Sequence, residues 1–260
     1  MRRQTFSLLL LLALTGCKTL FGSDGNVQYA QDAKINLARG MESFKSRDFP
    51  AAEKYFEYVR TKYPYSEFAK DAELKLADIG WEKEDFTDAR DRYTNFVKLH
   101  PGYARTDYAA YRAAACHYQE FKKAASDFFL FPPTFEKDQT ELAAASRSLS
   151  DFVALYPQSK YAAEATKYLN ESRHRLAAHE LYVAGFYAKR NYWEGAAGRW
   201  ANVVKLYPSL GEDREAAFKL ADAYRVHLHQ PGKANDVLRL IMDRYPNSPD
   251  AARAQSLIHS

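Results

Sequence analysis

Cysteine is nearly missing from this sequence. Cys17 and Cys116 are the two in 260 residues, which leaves no room for a disulfide framework. A strong charge of one sign is missing too. The formal net charge is +4, falling to about +2 if Arg2 and Arg3 leave with a leader. That balance is too mild to recruit nucleic acid, and no basic run with interleaved aromatics marks a nucleic-acid surface. Motifs that carry chemistry are also missing. None of the seven histidines, His100, His117, His174, His179, His227, His229 and His259, forms an HExxH or an i, i+4 helical pair. His227 and His229 are two apart and point to different faces of a helix. There is no Walker A, no G-x-G-x-x-G and no G-x-S-x-G. Aspartates and glutamates are plentiful but are expected on exposed helix faces. The expectation is a protein that is not an enzyme and needs no cofactor or metal.

What is present is a beat. Twelve residues before each of five prolines sits an alanine: Ala52/Pro64, Ala89/Pro101, Ala145/Pro157, Ala196/Pro208 and Ala234/Pro246. Eight before the same prolines stand Phe56, Tyr93, Leu149, Trp200 and Leu238, and five before them Val59, Phe96, Phe152, Val203 and Ile241. Steps of 4 and 3 place these on one helical stripe. The proline ends the helix, because it lacks an N–H and drives its predecessor out of the α region. That predecessor is Tyr63, His100, Tyr156, Tyr207 or Tyr245, a ring that closes the end of the core while its polar tip reaches water. The alanines mark close helix approach, so a large residue at Ala89 or Ala196 should overpack. Partner helices precede three of the stripes, with the small residues Gly40, Ala77 and Ala184 at 24 before the proline. They end in turns at Arg47-Asp48-Phe49-Pro50, Glu84-Asp85-Phe86 and Arg190-Asn191-Tyr192. Pro50 falls near the first turn of its helix, where its missing N–H costs little. This spacing is that of the tetratricopeptide repeat, a helix–turn–helix of about 34 residues. The fold class expected is all-α, an α-solenoid of about five such pairs, which binds macromolecules through a groove.

The proline gaps are 37, 56, 51 and 38 residues. The 56-residue gap holds Ser126–Asp138, with Phe128, Phe129, Phe131, Pro132, Pro133 and Phe135. It reads as a long loop, either packed back on the solenoid or exposed as a contact surface. The 51-residue gap reads as one long helix, or two nearly continuous ones, from Ser159 to about Lys189. It joins repeats one to three, residues 29–158, to repeats four and five within residues 159–260.

The N-terminus reads as a secretory leader over residues 1–16. Arg2-Arg3 is the basic region, and Phe6–Leu14 is apolar but too short for an ordinary membrane span. It ends in Leu14-Thr15-Gly16-Cys17, which resembles the bacterial lipobox, so Cys17 is the expected lipidation site. Several acyl chains at about 0.8 kcal/mol per buried CH₂ anchor firmly. Lys18, where inner-membrane retention would have aspartate, implies by resemblance the outer membrane, facing the periplasm. Residues 17–28 form a tether. With Cys17 lipidated, Cys116 has no partner, and its place among Ala113, Ala114 and Ala115 predicts a buried, inert thiol.

Together these features resemble the BamD family, lipoproteins of the β-barrel assembly machinery. Three segments carry the resemblance: Phe56 through Tyr63-Pro64-Tyr65-Ser66, Asp107-Tyr108-Ala109-Ala110-Tyr111-Arg112, and Arg175-Leu176-Ala177 through Glu180, Val183-Ala184 and Tyr187. Lys137-Asp138 departs from the family's Arg-Asp pair. The resemblance implies docking of the C-terminal repeats on BamA, the barrel component, with Arg199 in the contact and Lys189 and Arg190 beside it. Arg199 lies about 60° off the buried stripe, so it is either a partner contact or a surface arginine with a packed stem. The resemblance also implies that the N-terminal repeats receive unfolded barrel proteins. Tyr63, Tyr65 and Phe68 are the candidates, although Tyr63 also suits a core cap. Other assembly lipoproteins are implied partners, and membrane contact is through the anchor alone. The alternative is another outer-membrane repeat lipoprotein, such as a pilus-assembly pilotin.

Overall fold

The computed structural model describes residues 27–126 and 138–259. Cys17, the leader and most of the aromatic loop at 126–138 lie outside the described residues. Those described form eleven α-helices and one π-helical turn, with no strand among them. The helices are α1 (Ala33–Lys45), α2 (Phe49–Lys62), α3 (Glu67–Glu82), α4 (Phe86–Leu99), α5 (Thr106–Ser126) and α6 (Thr140–Leu155). They continue with α7 (Ala162–Ala188), α8 (Trp193–Leu206), α9 (Glu212–Asp222), α10 (Pro231–Arg244) and α11 (Pro249–His259), the π turn being Ala223–His227.

All fifteen stripe residues are buried, the five alanines with 0% exposure. The residue before each proline is the C-cap of its helix. Tyr63, His100, Tyr156, Tyr207 and Tyr245 all have φ between −129° and −125° and ψ between 52° and 56°. Proline thus stops five helices at one backbone geometry. The five rings are half-buried, and two of the tips find partners: His100 Nε2 lies 2.6 Å from Glu73 Oε2, and the Tyr245 hydroxyl donates to Asp213.

The turns inside three hairpins share a second geometry. Arg47, Glu84 and Asn191 adopt φ of 61°, 56° and 60°. The following N–H of Asp48, Asp85 or Tyr192 reaches back to the carbonyl of Ser43, Gly80 or Tyr187, the left-handed helix ending usually given to glycine. Asp48 and Asp85 then cap the next helix, accepting from the N–H of Ala51 and Asp88.

The chain divides into two compact units at Ala72/Glu73, inside α3. In the first, α1 packs on α2. Asn36, fully buried, accepts from the Ala30 N–H and donates to the carbonyls of Ala30 and Asp32. Tyr29 stacks on Tyr58 with centroids 4.1 Å apart. These contacts tie the extended segment before α1 to the hairpin.

In the second unit the core falls into three clusters. Leu74, Ala77, Phe86, Ala89, Tyr93 and Cys116 form one. Tyr111, Leu142, Leu149, Phe152, Leu169 and Leu176 belong to the next. Ala177, Ala184, Trp200, Leu220 and Leu238 belong to the last. The long-helix reading resolves to one continuous helix, α7, of 27 residues. This helix supplies side chains to two cores, Leu176 to one and Ala177 to the other.

One expectation is corrected. Acidic residues were placed on exposed faces, yet Asp78 is 5% and Asp213 1% exposed. Each is affordable because it is saturated with donors. Asp78 accepts from the hydroxyls of Tyr93 and Tyr108 and pairs with Lys75 at 2.6 Å. Asp213 accepts from Tyr245, from the N–H groups of Ser209 and Gly211, and from Arg244 at 2.9 Å. Cys116 is fully buried and free, and burial pushes its thiol up to about 12, beyond the reach of nucleophilic chemistry.

Candidate functional site

The α7–α8 hairpin positions Arg199. Ala184 on α7 and Ala196 on α8 are both fully buried, so the two backbones approach closely. Arg199, three residues past Ala196, emerges at the seam with 38% of its side chain exposed. Its Nη1 donates to Glu180 Oε1 on α7 at 3.1 Å, and Asn202 Nδ2 donates to the other carboxylate oxygen at 3.0 Å. Burial first, and the Glu180 carboxylate second, push the neighbouring Tyr207 hydroxyl above its ordinary value, with Arg173 opposing. Glu180 therefore tethers the guanidinium through Nη1. A guanidinium has five N–H donors, and 38% of this side chain is exposed. A planar cation held this way can receive a carboxylate bidentately.

Lys189 and Arg190 do not join Arg199. They sit at the end of α7, with Lys189 nine residues from Glu180 and so on the opposite side of the helix. There they border a hollow with Leu181, Tyr182, Gly185 and Phe186. Arg190 lies over the Phe186 ring, its Cζ 3.5 Å from the centroid, and donates to the Phe186 carbonyl. Tyr182, Phe186 and Tyr192 are 43%, 45% and 63% exposed. This run of exposed aromatics was not read from the sequence. Its signal was there, since all three fall off the buried stripes.

In the first repeat, Tyr63, Tyr65 and Phe68 follow α2. The Ser66 N–H bonds to the Tyr63 carbonyl, closing the turn around Pro64. That turn throws Tyr65 outward, fully exposed at 100%. Tyr63 is half-buried with its ring edge-on to Tyr58, and Phe68, in the first turn of α3, is half-buried. Tyr63 is accordingly committed to its own hairpin, whereas Tyr65 touches nothing that would hold it.

The two most distinctive sequence segments of the second unit serve as ties between helices. Asp107 accepts from Ser159 Oγ at 2.7 Å. Tyr108 bridges Asp78 and Arg112, and Tyr111 stacks on Tyr161 within 2° of parallel. Arg112 covers Trp81, its Cζ 4.1 Å from the ring centroid. In α7, Arg175 lies over Phe121, Leu176, Ala177 and Ala184 are core, and Glu180 holds Arg199. Among the described residues no cluster of three or more His, Cys, Asp or Glu is placed to hold a metal ion. No described helix is long and apolar enough to cross a membrane.

Comparison with known proteins agrees with this architecture. The outer membrane protein assembly factor BamD of Neisseria gonorrhoeae is 27% identical over 255 residues, covering 96% of this chain and 93% of that one. The proteins of the same name from Haemophilus influenzae and Caulobacter vibrioides are 25% and 23% identical, over 89% and 88% of this chain and 88% and 72% of theirs. The outer membrane lipoprotein family YfiO matches residues 29–238. That match runs from just before α1 into α10, and the chain belongs to the YfiO family of outer-membrane lipoproteins.

Proposed function

We propose that this chain is a lipid-anchored scaffold of the β-barrel assembly machinery, on the periplasmic face of the outer membrane. It docks on a BamA-like barrel component through the α7–α8 hairpin and receives unfolded outer-membrane proteins at the turn after α2. Cys17 carries the anchor. The relatives' shared name, outer membrane protein assembly factor, supports the assembly role.

The observation that carries the docking reading is the setting of Arg199. A surface arginine with no task gains little from order, because holding its long side chain costs rotamer freedom. Here Glu180, itself held by Asn202, tethers the guanidinium, which lowers the entropy a partner carboxylate must overcome. Lys189, Arg190 and the exposed Tyr182 and Phe186 supply a second contact on the far side of α7, with the aromatic and arginine character typical of interface anchors.

The test is co-purification of the tagged chain with the barrel component. Arg199→Glu and Arg199→Ala should both weaken it while leaving helical circular dichroism intact. Arg199→Glu should do more harm, since it also sets a second carboxylate against Glu180. Undiminished co-purification by both variants overturns the docking site.

A further inference from the structure

We propose that the tip of the α1–α2 hairpin, where the N-terminal tether joins it, rests on the bilayer that holds the Cys17 anchor, with Tyr29 and Ile35 seated in the lipid headgroup layer. This contact depends on Cys17 being the lipidated residue, as proposed above, and adds a second membrane attachment to it. It lies wholly within the first compact unit. Among the described residues of that unit, the large apolar side chains most open to water are Tyr29, Ile35 and Tyr65, at 46%, 47% and 100%.

All three fall at one end of the hairpin. Its helices run antiparallel, so the start of α1 meets the end of α2. Tyr29 stacks on Tyr58 with the rings 14° apart, and Tyr58 is edge-on to Tyr63, two residues before Tyr65. One face of Tyr29 is thus covered and the rest of the ring is open. The Tyr55 hydroxyl also reaches the Gln28 carbonyl at 3.4 Å. Ile35 follows in the first turn of α1, where Asp32 accepts from its N–H. The opposite end of the hairpin, Lys45 to Arg47, is exposed and polar, about 20 Å away along α1. A terminal repeat ordinarily shows a polar outer face, and the tether end departs from that.

The length of the tether selects what covers this end. Ten residue steps separate Cys17 from Val27, where the described chain begins. Whatever its conformation, that span is about 35 Å at most. A tether this short keeps the tip near the lipid at an effective concentration of about millimolar, so a weak partition is enough. A tyrosine ring suits the headgroup level, with its body in the apolar boundary and its hydroxyl in water. Ile35 buries against the same boundary. Charge contributes little, since the tip carries Asp32 as well as Lys34 and Lys62. Lys34, exposed beside Ile35, can lay its stem along the lipid and keep its ammonium among the phosphates.

The test uses the lipidated chain on vesicles of phosphatidylethanolamine and phosphatidylglycerol, with a nitroxide attached through Gln31→Cys or, for comparison, Ser46→Cys. Gln31 lies between Tyr29 and Ile35, and both labelled positions are exposed. Cys116 is fully buried, so the introduced thiol takes the label. The label at 31 should favour collision with oxygen over a water-soluble nickel chelate several-fold more than the label at 46 does. Ile35→Glu, at an exposed position in the first helical turn where an acid is well tolerated, should erase that difference while the chain still floats with the vesicles. A chain that fails to float overturns the anchor and this contact together. A floating chain whose label at 31 is as open to the chelate as the label at 46, or is shielded from both quenchers as a protein partner would shield it, overturns the contact alone. So does an oxygen preference that survives Ile35→Glu.

Discussion

Gly40 and Phe56 meet where no other residue than glycine fits. A Cβ at position 40 would lie 2.6 Å from Phe56 Cε1 and 2.8 Å from Cδ1. Phe56 is fully buried and cannot swing away. Gly40→Ala should therefore destabilise the α1–α2 hairpin by about 1–3 kcal/mol, seen as a lower denaturation midpoint. Gly198→Ala is the contrasting case. Nothing lies within 4 Å of its Cβ position on α8, so it should stabilise by up to about 1 kcal/mol. Equal effects of the two substitutions would remove the close-approach argument.

Asp213 should make the last repeat acid-sensitive. Burial alone would raise its carboxyl, but bonds from Tyr245, the Ser209 N–H, Arg244 and the Gly211 N–H outweigh it and hold the group below the usual carboxylate range. A carboxyl depressed by folding contributes stability above its unfolded value, near 3.9, and that contribution fades as pH falls through the folded value. Thermal melts from pH 6 down to pH 2 should show this loss setting in as pH approaches the unfolded value and deepening below it. Asp213→Asn should lower stability at pH 7 by about 3 kcal/mol, since Arg244 is left without its charge partner, and should flatten the acid limb. An acid limb as steep as that of the parent chain would assign it to other groups.

Tyr65 can be removed at almost no structural cost, and Phe68 at a modest one. Tyr65 is fully exposed, and surface changes of this kind usually stay within about 0.5 kcal/mol; Phe68 is half-buried, so its truncation adds about 1 kcal/mol. The double variant Tyr65→Ala, Phe68→Ala should stay folded, melt only a few degrees below the parent, and lose affinity for an aromatic-rich barrel C-terminal peptide by roughly tenfold, the worth of about 1.4 kcal/mol. Normal peptide binding would remove this turn as the receiving site, and Tyr63 would remain as a core cap alone.

The repeat pattern was legible because it is local. Ala, bulky and apolar residues at fixed offsets from a proline lie on one helix, and each of the fifteen proved buried. The C-cap tyrosines were legible for the same reason. The ties between helices were not. Asp78, Tyr93, Tyr108, Arg112 and Trp81 come from three helices, and an aspartate that meets two hydroxyls looks in sequence like any exposed acid. The candidate site divided likewise. Arg199 could be placed near the core rim from its angle to the stripe. That Glu180 accepts from both Arg199 and Asn202 depends on how α7 and α8 lean together, which no single helix records.

The position of Leu176 beside Ala177 has a thermodynamic consequence. One turn of α7 is the wall of two neighbouring cores. In a stack of repeats, stability is a sum of unit terms and nearest-neighbour terms. A shared wall puts much of the free energy into the neighbour term, because melting either core strips apolar cover from the other. The hairpins on both sides of α7 should then exchange their amide hydrogens as one block. Rigidity of that block would let a force applied at α8 reach α5 with little lost to local unfolding.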